Sequence, residues 1–171
     1  MGNGKIGEIG REEKDGEVIY AVEITKDGRS RDYNLDEKGT LVSVEVTLLE
    51  TPLAVQKTIQ IQVGQGTLGS IDKSFDEDGV FYDFSVTHDG KDREFSVAEN
   101  GKLESRQVFL SELSPAVQKT IQQHIGDGKL LRIDQVFEKK GAFSFEIEGV
   151  KDGKPFDFSV GPKGAFLGMD E

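Results

Sequence analysis

The hexapeptide Ala54-Val55-Gln56-Lys57-Thr58-Ile59 recurs letter for letter as Ala116-Val117-Gln118-Lys119-Thr120-Ile121, 62 residues further on. The register holds beyond it. Gly64-Gln65-Gly66 matches Gly126-Asp127-Gly128, Ile71 matches Ile133, and Gly79 matches Gly141. After one inserted residue, Asp89-Gly90-Lys91 matches Asp152-Gly153-Lys154, Phe95-Ser96-Val97 matches Phe158-Ser159-Val160, and Gly101 matches Gly164. Stepping back by the same period finds a third copy. Gly4, Ile9, Asp27-Gly28, Tyr33, Gly39 and Leu41 stand where Gly66, Ile71, Asp89-Gly90, Phe95, Gly101 and Leu103 stand. A fixed period of this length marks one supersecondary unit used repeatedly, which narrows the possible folds sharply.

Each unit reads as one helix and four strands. Helices are predicted over 52–63 and 115–125, with proline in the first turn, where its missing N–H costs nothing. Val55, Ile59 and Val63 recur at i, i+4 and i+8 on one face. Gly64 and Gly126 are placed to end the helices in the left-handed conformation. Strands follow with period-2 alternation: Tyr82, Phe84 and Val86 against Asp83 and Ser85, then Phe95 and Val97 around Ser96. The first copy repeats this as Tyr20, Val22 and Ile24, then Tyr33 and Leu35. Between strands lie Asp15-Gly16, Asp27-Gly28, Asp78-Gly79, Asp89-Gly90, Asn100-Gly101 and Asp152-Gly153, dipeptides that supply the positive φ of tight hairpins. The expected fold is α+β, a tandem array in which each four-stranded antiparallel meander has an apolar face under a helix. Its units span 1–50 (strands alone), 51–112 and 113–171.

Composition removes several functions. The net charge is -11, from 21 Lys+Arg against 32 Asp+Glu. Such a chain repels phosphate backbones and anionic membrane surfaces, so no nucleic-acid partner is expected. Without cysteine there is no disulfide, thiol nucleophile or thiolate metal site. No apolar run approaches the ~20 residues of a membrane-spanning helix, so no membrane insertion is expected. Met1 is expected to be a start placed on a trimmed chain whose signal peptide has been removed, because the N-terminus has no apolar signal core.

The Pro-Ala-Val-Gln-Lys-Thr-Ile helix at 115–121 leads through Gly128-Lys129-Leu130 to the Ile133 strand, a Phe-rich strand and an Asp-Gly-Lys turn. This pattern resembles the PepSY-like domains, which are similar to the β-lactamase inhibitor protein. The resemblance covers essentially the whole chain. It implies a helix plus a four-stranded antiparallel sheet in tandem, export to the periplasm or beyond, and no enzymatic activity. The wider PepSY group is associated with inhibiting or chaperoning peptidases. The inhibitor protein presents an aromatic-rich concave sheet face, whereas the solvent-side positions here are mostly Asp, Ser, Glu and Lys.

The remaining motifs dissolve in context. Gly64-Gln65-Gly66-Thr67-Leu68-Gly69 and Gly2-Asn3-Gly4-Lys5-Ile6-Gly7 have the dinucleotide spacing, but that fingerprint must follow a strand and open a helix. Here the glycines close a helix and open a strand, so no cofactor is expected. Asp76-Glu77-Asp78-Gly79 lacks the alternating ligands and distal Glu of a calcium loop and reads as a charged hairpin turn. His88 and His124 occupy non-equivalent repeat positions, and no metal or general-base role is assigned to them. No catalytic grouping emerges.

The first copy stands apart. Ile9, Tyr20, Val22, Ile24, Tyr33 and Leu35 form an apolar face with no helix of its own, partly blunted by Glu13, which replaces Phe75 and Phe137. An apolar face of that size is a candidate association site. The expected function is a non-enzymatic exported protein-binding module whose partner is unidentified. The alternatives are a self-associating structural component of the cell envelope and a peptidase or β-lactamase inhibitor.

Overall fold

A computed structural model of the protein describes residues 4–14 and 17–169. The expected Asp15-Gly16 turn lies outside the described residues. The chain forms two compact units, Met1–Asp92 with Ser96–Lys102, and Arg93–Phe95 with Leu103–Glu171.

In the first unit the strands follow chain order: β1 (Lys5–Lys14), β2 (Glu17–Lys26), β3 (Arg29–Asp36), β4 (Leu41–Glu45), β5 (Thr67–Asp76), β6 (Gly79–His88) and most of β7 (Lys91–Ala98). Helix α1 (Leu53–Val63) leaves after β4 and packs against β6. The second unit orders β8 (Leu103–Gln107), β9 (Lys129–Phe137), β10 (Phe143–Lys151), β11 (Lys154–Val160) and β12 (Phe166–Met169), with α2 (Pro115–Ile125) against β10 and β11. The described strand pairings are antiparallel. Among the described residues the result is an α+β fold of antiparallel strands with two α-helices.

Each letter of the repeated hexapeptide except Lys has a task. Val55 and Ile59, like Val117 and Ile121, are fully or almost fully buried. Gln56 Nε2 donates to the Thr51 carbonyl at 2.8 Å, and Gln118 Nε2 to the Leu113 carbonyl at the same distance, fixing the approach to each helix. Thr58 Oγ1 donates to the Gly101 carbonyl at 2.6 Å and Thr120 Oγ1 to the Gly164 carbonyl at 2.7 Å. A Cβ added to Gly101 would lie 2.8 Å from the Ala54 backbone, and one on Gly164 would lie 2.8 Å from that of Ala116. The alanine and threonine thus seat the helix on a glycine turn. Lys57 and Lys119 are exposed.

The helix ends differ from expectation in two details. Pro115 is the first residue of α2, behind an Ser114 side chain that accepts from Val117 N, but Pro52 is the N-cap of α1 and offers no side-chain acceptor. The two prolines occupy different repeat positions. Gly64 and Gly126 have positive φ (50° and 57°), yet their ψ values of -112° and -119° lie outside the left-handed helical region. This is mirror-extended backbone, accessible to glycine because it has no Cβ. Tight turns with two positive φ values form at Asp27-Gly28, Asp89-Gly90 and Asp152-Gly153; at Asp78-Gly79 and Asn100-Gly101 the glycine alone is positive.

In the second unit Val117, Ile121 and Ile125 of α2 share a core with Ile133, Phe145, Ile147, Phe158 and Val160. His124, in the last turn, stacks on Phe166 with centroids 4.0 Å apart, and its Nδ1 lies 2.9 Å from the Thr120 carbonyl. It packs as a ring. No described helix is long and apolar enough to cross a membrane.

Candidate association face

Directly opposed residues of an antiparallel pair point to the same face. Pairing in the first unit therefore traces the face residue by residue. One row runs Ile9–Val22–Tyr33–Val44–Lys73–Tyr82, and beside it lie Arg11–Tyr20–Leu35–Leu41 and Ile6–Ile24–Arg31. All six residues singled out in the first copy share this face. It continues without a break into the face of β5 and β6 that carries Tyr82, Phe84 and Val86, buried beside α1.

Across that face burial changes abruptly. Ile71 is 3% exposed, and Ile9, its counterpart one period earlier, is 61% exposed. Tyr20, Val22, Ile24, Tyr33 and Leu35 are half-buried, covered along their flanks by sheet neighbours. Glu13 lies exposed at the far end of β1, 3.6 Å from Arg11.

The sequence pattern alone misses Ile6, also exposed, which joins the same face. The β1–β2 register slips between Ile6 and Ile9, a bulge that brings two residues three apart onto one side. β5 has the same slip between Leu68 and Ile71. Of the dinucleotide-like glycines, Gly7 and Gly69 lie in these strands, and Gly4 and Gly66 stand just ahead of them. A Cβ on Gly66 would come within 2.8 Å of Val86 and His88, and one on Gly69 would meet the Ser85 hydroxyl at 2.2 Å. They permit close strand approach.

Arg31 projects from the rim of the face to Glu50, in the 3-10 turn Leu48–Glu50. Glu50 also accepts from the backbone N–H and hydroxyl of Thr47. The Thr47 N–H, with Arg31 second, holds the Glu50 carboxyl at about 2, far below its ordinary value. The second unit repeats the device with Arg93 and Glu112, which likewise accepts from Phe109 N. The Arg93 guanidinium is the main cause of the lowered Glu112 pKa.

The opposite face of the first unit is polar and acidic. Glu45, Asp72 and Asp83 are opposed in one row, and Glu23 faces Asp32 in another. Burial pushes the Asp72 pKa up, and Glu45, Asp83 and Asp32 add to the shift by repulsion. In the second unit Arg132, one period after Ser70, bonds both Asp134 and Glu94. At 76–79, Asp76 Oδ1 accepts from the Asp78 and Gly79 N–H groups, forming a local turn. Among the described residues no group of three His, Asp or Glu side chains is arranged to hold a metal ion.

No family model matches the chain, and no curated protein is similar to it. Several solved structures share its fold. A DUF2874 family protein from Bacteroides ovatus superposes with a TM-score of 0.52 at 16% identity, over 70% of this chain and 86% of that one. A Bacteroides eggerthii protein assigned by inference to the periplasm gives 0.53 at 19% identity, over 70% and 88%. A BLIP-like protein from Bacteroides fragilis gives 0.50 at 16% identity, over 70% and 85%. Likeness at these identities is a likeness of fold: the chain has a BLIP-like fold.

Proposed function

We propose that this chain is an exported, non-enzymatic protein-association module, built as tandem units over 1–50, 51–112 and 113–171. The open apolar face of β1–β3, with Ile9, Tyr20, Val22, Ile24, Tyr33 and Leu35, is its association surface. Element bounds support the array: β1 through β4 begin 62 residues before β5 through β8, and α1 begins 62 before α2. The periplasmic assignment of the Bacteroides eggerthii protein supports export. The BLIP-like fold supports a role in protein contacts.

One observation carries the reading. Ile9 is 61% exposed at the head of a row that is apolar through Val44 and ends in the sealed Tyr82. Exposed apolar rows of this kind on a soluble chain mark surfaces that bind. Self-association is a second reading favoured by position, since β1 is the outer strand of its unit and carries both Ile6 and Ile9.

Light scattering over a concentration series, paired with crosslinking capture from envelope extract, tests both. Association or capture by the wild type that is abolished by Val22→Asp, with an unchanged circular dichroism spectrum, is the expected result. A strict monomer at high concentration, with identical capture by wild type and variant, overturns the reading.

A further inference from the structure

Two turns in this chain exist to hold helices. In the turn 98–102, Gly101 N donates to the Ala98 carbonyl at 2.8 Å and Ala98 N to that of Lys102 at 2.9 Å. In the turn 161–165, Gly164 N donates to Gly161 and Gly161 N to Ala165 in the same way. Each glycine has φ near +85°, each presses on a helix alanine, and each offers its carbonyl to a helix threonine.

The turn at 36–40 is built identically. Gly39 N donates to the Asp36 carbonyl and Asp36 N to the Thr40 carbonyl, both at 2.9 Å, and Gly39 has φ +80°. Yet a Cβ on Gly39 would meet nothing within 4 Å. The turn has the form of a helix seat and, among the described residues, seats nothing. It borders the same face that is open at Ile9.

A second observation, in the sequence, says where the occupant belongs. Met1-Gly2-Asn3-Gly4 stands 62 residues before Val63-Gly64-Gln65-Gly66, and Ile125-Gly126-Asp127-Gly128 follows by the same step. In the two later copies that motif is the last residue of a helix, its glycine terminus and the first residue before a strand. The same glycine spacing therefore stands in the sequence ahead of β1. Gly4 is also packed as its counterpart is, since a Cβ there would meet Ile24 at 3.0 Å.

A second copy of the chain explains this less well. Its helices α1 and α2 are engaged on their own sheets, and pairing two open faces would leave the Gly39 turn without a purpose.

We propose that the open face and the Gly39 turn are the seat of a third helix of this same chain, an amphipathic segment running into Gly2. By register it carries Ala nine residues, Thr five residues and an aliphatic residue four residues ahead of the Met1 position. The Ala rests on Gly39, the Thr hydroxyl donates to the Gly39 carbonyl, and the aliphatic side chains cover Val22 and Tyr33. The inference rests on reading the face as an association surface and names its intramolecular occupant. With the helix seated, another protein reaches that face only by displacing it, so the helix and an outside partner compete for one surface.

The test joins the Leu53–Val63 sequence directly ahead of Gly2, in place of Met1. The fused chain is expected to melt at least about 4 °C higher than the original and to lose concentration-dependent association. Gly39→Ala should then raise the unfolding constant at least about tenfold more in the fused chain than in the original, because there it also meets the helix backbone. Equal cost of Gly39→Ala in the two chains overturns the seat, whatever the melting temperature does. No gain in melting temperature with association retained overturns the helix and leaves the association reading standing. A monomer before and after fusion, with no gain, overturns both. Mass spectrometry of the native protein checks the source independently of how the fusion folds. A mature N-terminus ahead of Met1, with Ala and Thr at the stated spacings, supports a helix in the same chain. A mature N-terminus at Met1 or Gly2 overturns it.

Discussion

Ile9 and Ile71 stand one repeat apart in sequence, follow bulges of the same kind, and face the same side of the first unit. Their partners are alike too: Ile9 opposes Val22 and Ile71 opposes Phe84. Ile71 is nevertheless buried and Ile9 is open. What differs is α1, which packs on β6 and buries its own Val55 and Ile59. The comparison teaches that strand register and hairpin chemistry suffice to form this meander, while burial of its apolar face depends on a separate element. The apolar face of the first meander is thus open where its counterpart is sealed.

The sharpest way to break the comparison is truncation. Ile71→Ala should cost about 3 kcal/mol, the usual range for emptying a packed aliphatic site. Ile9→Ala should change stability by less than about 0.5 kcal/mol, as an exposed position does. Urea unfolding of both variants decides it, and equal losses would mean that the first meander is covered.

The glycine turns give the next largest contrast. Gly101→Ala should cost roughly 2–3 kcal/mol, because left-handed strain adds to a collision with the Ala54 backbone. Gly39→Ala should cost about 1 kcal/mol, from strain alone. Thermal unfolding of the two variants side by side measures the difference.

Acid titration separates the two faces. Glu50 titrates at about 2 in the folded chain and at 4.5 ordinarily, so its stabilisation is present above 4.5 and fades as pH falls towards 2. Its exposure limits the effect: Glu50→Gln should destabilise by roughly 0.5 kcal/mol at pH 7, and the difference should vanish near pH 2. Unfolding midpoints followed across that range provide the check.

Asp72 runs the other way. Its raised pKa means that the folded state favours the protonated acid, so its charge destabilises at neutral pH and the penalty is relieved on acidification. Asp72→Asn should stabilise by roughly 0.3 kcal/mol at pH 7 after solvent screening, with a smaller gain as pH falls into the carboxylate range. A destabilised variant would show that Asp72 makes contacts worth more than its repulsion with Glu45 and Asp83.

Much of this was legible in the residues. The 62-residue period located both helices, and alternation placed Tyr20, Val22, Ile24, Tyr33 and Leu35 on one face, where strand pairing puts them. Ile6 escaped because a bulge breaks the period-2 count, and no residue type announces a bulge there. The cap role of Pro52 escaped because a proline near a helix start reads alike at either position. Gly39 stood out in the sequence only as the counterpart of Gly101. Its significance lies in what surrounds Gly101 and Gly164, a tertiary fact that pattern alone does not contain.

The chain's lack of cysteine allows a direct measurement of the central contrast. Ile9→Cys and Ile71→Cys, labelled with a thiol reagent at low protein concentration, report the cover over each meander. The account predicts that Ile9→Cys reacts at close to the rate of a free thiol, while Ile71→Cys reacts at least about a hundredfold more slowly, limited by opening of the structure. Raising the concentration should slow Ile9→Cys and leave Ile71→Cys unchanged. Equal protection of the two at low concentration would contradict it.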